Sequence, residues 1–235
     1  MPATDRPARF LLALAGLLLT TVAAAEPAHY RLDPVHTRVL FAVEHAGFSH
    51  ALGTVSGSTG TLDFDPDDWT TARLQASVPL TRADLGDAAW NKAALAANLL
   101  DVADHPTATF VSTRIEPLAP DRARVHGTLT LHGVSREVAL EVTLNALKRH
   151  PLPPFRRTVG FSATATLSRK AFGIDAWPSV IGDAVDLRIE AEAVRARADG
   201  EDDATDPPAA ASASATADQA DQAAPASTPD PEPTP

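Results

Sequence analysis

The sequence predicts an all-β protein, an antiparallel up-and-down barrel of about eight strands with one short helix, and keeps a β-sandwich as the alternative. Three observations predict it. Stretches between residues 29 and 196 alternate apolar and polar side chains with a period of two, the pattern of strands with one buried face. Turn formers separate these stretches: Asp33-Pro34, Asp65-Pro66, Gly133, and Pro151, Pro153 and Pro154. A single segment, Ala88 to Leu99, is Ala- and Leu-rich in the manner of a helix, with Asp87 placed to cap it. Closing that many strands into a barrel removes their exposed edges, which favours the barrel over the sandwich.

Taken in order, Val35, Thr37, Val39, Phe41, Val43 and His45 share one face of the first run, with Arg38 and Glu44 opposite. Leu74, Ala76, Val78 and Leu80 alternate with Arg73, Gln75 and Ser77. Val125, Gly127, Leu129 and Leu131 form the inward face of a run that turns at His132-Gly133-Val134 into Val138, Leu140, Val142 and Leu144, a hairpin. Phe161, Ala163, Ala165 and Leu167, then Val185, Leu187, Ile189 and Ala191, complete the set. Gly127, Ala163, Ala165, Ala191 and Ala193 are small for inward positions. An eight-stranded barrel is either filled by its own side chains or holds one small ligand. Small residues favour interior space; the opposing reading has Phe41, Phe110 and Phe161 fill it.

The two ends read differently from the middle. Residues 1–25 carry Arg6 and Arg9, an apolar stretch from Phe10 to Val22, then Ala23-Ala24-Ala25, the order of a secretory signal peptide. That stretch is shorter than the ~20 residues of a membrane-spanning helix, so no integral membrane segment is expected after cleavage. Residues 199–235 are rich in Ala, Pro and acids, without Lys, Arg or an aromatic residue, and are expected to be a disordered acidic tail. The domain between, 26–198, holds 18 bases and 20 acids against a whole-chain charge of −10. It offers no basic patch for phosphates, which excludes nucleic acid as a partner class. With no Cys, thiolate metal sites, redox pairs and a Cys nucleophile are excluded.

No catalytic constellation emerges. There is no Gly-x-Ser-x-Gly elbow, and Gly53, Gly57 and Gly60 lack a following Gly-Lys-Ser/Thr, reading instead as bends in strands. Asp67-Asp68 suits a turn. No two of the eight histidines, His29, His36, His45, His50, His105, His126, His132 and His150, stand at the i, i+4 spacing of a helical metal site. Strand histidines still converge in some folds, so zinc stays open, but none is assigned as a ligand. His36 and His45 suit hydrogen bonds at strand ends.

Specific motifs then carry a resemblance: Tyr30-Arg-Leu-Asp-Pro-Val-His36-Thr, Val39-x-Phe41-x-Val43-x-His45-x-Gly47, Gly60-Thr-Leu-Asp-Phe-Asp-Pro66, Leu100-Asp-Val102 with His105-Pro-Thr-Ala-Thr-Phe110, Gly127-Thr-Leu-Thr-Leu-His-Gly133-Val-x-Arg136, Phe161-x-Ala163, Arg169-x-x-Phe172-Gly173-Ile, and Ile181-Gly-Asp183-x-Val185-x-Leu187-x-Ile189. In this order the chain resembles the YceI-like proteins, exported lipocalin-like barrels associated with polyisoprenoid binding. Leu99-Leu100 departs from the aromatic pair of many members, which keeps the site apolar and alters its shape.

The resemblance implies a tunnel through the barrel that holds an isoprenoid tail, a polyprenyl compound or isoprenoid quinone, in a non-catalytic periplasmic carrier or store (secreted where the source lacks a periplasm). It implies no cofactor; a homodimer is a candidate assembly. The inward register nominates Phe41, Val43, Phe110, Leu129, Leu140, Val142, Phe161, Ala163, Leu187 and Ile189 as ligand-binding residues. Arg136 falls on the same face near a strand start, either meeting a polar or pyrophosphate head group or lying on a frayed surface end. Asp33, Gly47, Gly127, Gly133, Phe172, Gly173, Gly182 and Asp183 read as turn and strand-end architecture. Two rival functions stand beside the carrier: a lipid head-group enzyme using His36, His45 and an acid, and a packed barrel serving as a stress-related interaction module.

Overall fold

The computed structural model describes residues 26–196; the expected signal peptide and acidic tail lie outside them. Eleven strands follow one another: β1 (Ala28–Leu32), β2 (Arg38–His45), β3 (Ser49–Ser56), β4 (Thr59–Phe64), β5 (Arg73–Pro79), β6 (Ala83–Asp84), β7 (Thr107–Ala119), β8 (Arg122–Leu131), β9 (Val134–Arg149), β10 (Arg157–Ser168) and β11 (Ile181–Arg195). Every pairing is antiparallel, and β1 bonds both β4 and β11, closing the sheet on itself. The eleven strands occupy eight positions around a barrel, because three positions are each broken into two collinear pieces. β1 and β2 share the edge of β11, β4 continues β3, and β5 is followed by β6. The breaks lie side by side: Gly57 N–H donates to Pro34 O at 3.2 Å, and Gly57 abuts the Arg82 guanidinium between β5 and β6.

The breaks explain where the alternation misleads. Val35 belongs to a turn and Thr37 stands just before the strand, which starts at Arg38, although Thr37 is buried and faces the interior as its parity implies; the Asp33 carboxylate accepts the N–H groups of Val35 (2.8 Å) and His36 (3.2 Å), and the Asp33 carbonyl that of Thr37. Val35 is accordingly exposed. β3 escapes the period-two reading because Leu52 points to solvent while Gly53 faces inward under the Phe41 ring. In β7, exposed Val111 next to buried Phe110 hides the pattern in the same way.

The helix α1 spans Ala88–Leu95, four residues shorter than the predicted 88–99. The Asp87 carboxylate accepts the N–H groups of Ala89 and Trp90, as expected of an N-cap. Ala96 turns extended, and the chain curls back so that Leu100 N–H reaches Ala94 O and Asp101 N–H reaches Ala96 O, both at 3.0 Å. The curl ends the helix early because it turns Leu99 and Leu100 into the barrel interior.

One end of the barrel is packed solid. Trp69, on a short 3-10 turn capped by Asp68, sets its ring edge-on to Phe64 (centroids 5.1 Å) and to Phe161 (6.1 Å). Tyr30, Ile115, Ala123, Val125, Val159 and Ala193 are among the buried residues packed with them.

At the β1–β2 break the His36 ring Nδ1 lies 2.8 Å from Asp33 Oδ2. Partial burial opposes charge on Asp33, but hydrogen bonds from His36 and from the Val35 and His36 N–H groups outweigh it and hold the carboxyl below its ordinary range. The bond to Asp33 raises the His36 imidazole. The depressed carboxyl stabilises the fold above its unfolded pKa of about 4 and loses that effect as pH falls through its lower folded value. The raised imidazole stabilises below its unfolded pKa of about 6.5 and loses the effect as pH rises through its higher folded value. Thermal melts from about pH 5 to pH 8 are therefore expected to show a loss of Tm that His36→Asn flattens. Parallel profiles for the two proteins would show that the pair contributes nothing.

Candidate functional site

Above the packed end the barrel is hollow. A cavity of about 570 Å³ runs up its interior, lined from Trp69, Ala72 and Ile115 to Trp90, Leu99 and Trp177. Trp69 is buried whereas Trp90 and Trp177 are 40% and 50% exposed, so the cavity is stopped below and opens above. The stretch of β11 that lines it, Ile181 to Ala191, spans roughly 33 Å along the strand and about 25 Å along the axis at a typical barrel tilt.

The wall is almost entirely apolar because inward positions from every barrel position converge on it. Phe41, Val43, Phe110, Leu129, Leu140, Val142, Phe161, Ala163, Leu187 and Ile189 all stand on the wall, as the inward register places them. Arg136 does not. Its backbone pairs with inward-facing Leu129, but the side chain leaves the interior at the strand start, is exposed, and donates through Nε to Ala171 O at 3.0 Å. The expectation that Arg136 lies with the lining residues is corrected on this point.

The small residues divide by role. Ala163 and Ala191 lie on the wall, whereas Ala193 is sealed in the packed cluster. Gly127 and Gly53 are covered by rings: a Cβ on Gly127 would collide with Phe110, and one on Gly53 with Phe41. Phe110 and Phe41 thus lie against the wall and leave the lumen open, so small residues and large rings work together rather than as alternatives.

Polar groups on the wall are few. At the broken strands, Thr37 Oγ1 donates to Glu192 O at 3.3 Å. Ser58 Oγ and Trp69 Nε1 are buried with no hydrogen-bond partner among the described residues, a state that invites a ligand or water. Near the mouth stand Glu44, whose carboxylate accepts Gly47 N–H, and His45, whose ring tilts against Trp90 at 5.5 Å. Arg169 is the exception: 5% exposed, it donates from Nε to Gly182 O (2.8 Å), from Nη1 to Ile174 O (2.8 Å) and from Nη2 to Ile181 O (2.7 Å). It ties the segment between β10 and β11 over the mouth. The sequence places Arg169 only within the Arg169-x-x-Phe172-Gly173-Ile motif, with no role, although Phe161, Ala163, Ala165, Leu167 and Arg169 continue one inward parity. His36 and His45 do not converge with an acid on a common point; His36 bonds Asp33 at the strand break and His45 stacks on Trp90 at the mouth.

The barrel fold is shared with known proteins. The YceI-like domain matches residues 30–193, from β1 to near the end of β11. The chain belongs to the YceI-like family. Curated relatives include UPF0312 proteins of Pseudomonas savastanoi pv. phaseolicola, 32% identical over 182 residues, and of Pseudomonas putida strain W619, 35% over 188; each alignment covers 77% of this chain and 93% of the relative. Among solved structures, Burkholderia cenocepacia BcnA superposes with a TM-score of 0.62 at 22% identity, covering 68% of this chain and 98% of its own. A polyisoprenoid binding domain from Saccharophagus degradans, implicated in plant cell wall breakdown, gives 0.57 at 14%, covering 72% and 99%. These structures share the fold.

In this YceI-like barrel the rim of the mouth also carries exposed apolar side chains. Phe48, at the β2–β3 turn, is 91% exposed, and Ala46 N–H of the same turn donates to Val180 O at 2.6 Å, tying that turn to the segment that carries Trp177. Among the described residues no helix is long and apolar enough to cross a membrane.

Proposed function

We propose that this protein binds a long apolar isoprenoid, a polyprenyl compound or an isoprenoid quinone, with its tail in the barrel, as a non-catalytic carrier or store in the periplasm. The observation that carries the reading is the long apolar cavity, stopped by Trp69 and open beside Trp90 and Trp177. Its volume lies within the ~300–1,000 Å³ of small-molecule sites, and its length suits an extended chain. A tail of about 20 carbons gains roughly 16 kcal/mol at ~0.8 kcal/mol per methylene, enough to exceed association costs of ~4–15 kcal/mol. The unpartnered Ser58 hydroxyl and Trp69 indole leave room for a few polar contacts, while specificity would follow from cavity length and the groups at the mouth. The name of the Saccharophagus degradans relative points the same way, and the signal-like N-terminus supports export. The exposed rim of Phe48, Trp90 and Trp177 suits loading from a membrane surface.

The test is native mass spectrometry of the protein purified without detergent, followed by organic extraction. An isoprenoid quinone or polyprenyl phosphate bound at one per chain is expected. Empty protein that also takes up none of these lipids when offered them would refute the proposal.

A further inference from the structure

At the mouth, two residues of the turn after α1 meet one from the β8–β9 turn. Asp101, His105 and His132 place one ligand atom each so that all three lie within 4.8 Å of one another. We propose that they form a binding site for a divalent transition-metal ion of zinc's class, which fastens the segment after α1 to the β8–β9 turn. The lipid reading is not needed for this inference.

The local geometry is that of a prepared site. The His105 and His132 rings lie 5.0 Å apart, tilted 59°. Gly133 makes that approach possible, because a Cβ there would stand 2.8 Å from His105 Cε1. His132 Nδ1 lies 3.3 Å from Phe172 O; donating there fixes the tautomer and leaves Nε2 free with its lone pair. Orientation of a ligand imidazole by a carbonyl on its other nitrogen is the usual outer-shell arrangement of metal sites. The Asp101 carboxylate takes no hydrogen bond from the described residues, while the Asp101 carbonyl accepts His105 N–H at 2.7 Å and so fixes the spacing of the two.

Backbone strain adds an independent sign. Asp101 has φ +46° and His132 φ +52°, left-handed values that non-glycine residues seldom adopt. At His132 this is the conformation that the two-residue β8–β9 hairpin turn requires, whereas at Asp101 it costs energy and is of the kind that recurs at functional sites.

Two imidazoles and one carboxylate suit zinc or copper(II) better than calcium or magnesium, which prefer oxygen-only sets. A tetrahedral site with bonds of ~2.1 Å has ligand atoms about 3.4 Å apart, so small rotations would close the set and leave one position for water. Leu99 and Leu100, directly before Asp101, line the cavity, as do Leu131 and Phe172 beside the other ligands. A bound ion would therefore hold the leucine-bearing segment across the mouth.

The test titrates Zn²⁺ into the full-length protein after treatment with EDTA and removal of the chelator, followed by calorimetry, with Co²⁺ absorption to report geometry. One equivalent is expected to bind, with tetrahedral cobalt bands and a rise in Tm. Asp101→Asn and His132→Asn keep a residue type that tolerates positive φ, and each is expected to weaken binding at least about tenfold. His50→Gln and His150→Gln should leave it unchanged. Should His132→Asn fail to fold, imidazole NMR of the wild type decides, since only His105 and His132 should shift with the first equivalent. No binding by the wild type, equal affinity in the folded variants, or shifts at other histidines would each overturn the site.

Discussion

Ala163→Trp is expected to abolish binding of long-tailed isoprenoids while leaving the fold intact. Ala163 is buried on β10, on the cavity wall between the packed end and the mouth. An indole there would occupy the space of at least one five-carbon unit of a tail. At ~0.8 kcal/mol per methylene the loss is about 4 kcal/mol, roughly a thousandfold in Kd. Since the side chain enters empty space, Tm should hold or rise, unlike the usual result of overpacking a full core. A short isoprenoid that stops above Ala163 should bind almost as before, which separates obstruction from general damage. Fluorescence titration with a length series would measure both effects. Equal long-tail affinity in variant and wild type would mean that the lumen is not the lipid site.

The second large effect belongs to Arg169. Replacing it with Met keeps much of the volume but leaves the carbonyls of Gly182, Ile174 and Ile181 without their donors. Breaking a buried, fully hydrogen-bonded charged group costs about 3–5 kcal/mol. For a domain of this size that corresponds to a fall in Tm of roughly 6–20 °C. Arg169→Lys should recover little, because an ammonium cannot reproduce the forked pattern. Arg188→Met, which removes an exposed partner of Glu190, should stay within about 0.5 kcal/mol. Since Arg169 anchors the chain that carries Trp177 and Val180 to the rim, bound lipid should also leave Arg169→Met faster than wild type. Urea denaturation that places Arg169→Met within about 1 kcal/mol of wild type would show that the three carbonyls are satisfied in another way.

Purely local patterns foretold much of this molecule. Alternation in β5, β8, β9, β10 and β11 identified strands and their inward faces, because a side-chain period of two depends only on neighbours in sequence. The Asp87 cap likewise needs only the next three residues. Ten of the eleven nominated residues stand on the cavity wall for the same reason, since register along a strand determines the face.

Long-range geometry decided the rest. The breaks at 33–37 and 57–58 depend on adjoining strands, so the alternation through Val35 extended one strand too far. Arg136 has the inward parity but stands at a strand end, where the acceptor offered by Ala171, 35 residues on, draws it out. Arg169 needs carbonyls at 174, 181 and 182 that only the returning chain supplies. Asp101, His105 and His132 meet because α1's early end carries its following turn to the β8–β9 hairpin. By itself the sequence determined an antiparallel all-β fold, favoured a barrel over a sandwich, and assigned most of the inward side chains, since strands and their faces follow from local periodicity. Only the tertiary structure decided that the interior is hollow, where it opens and which polar groups stand at its mouth, because these depend on how distant strands and loops divide a common space.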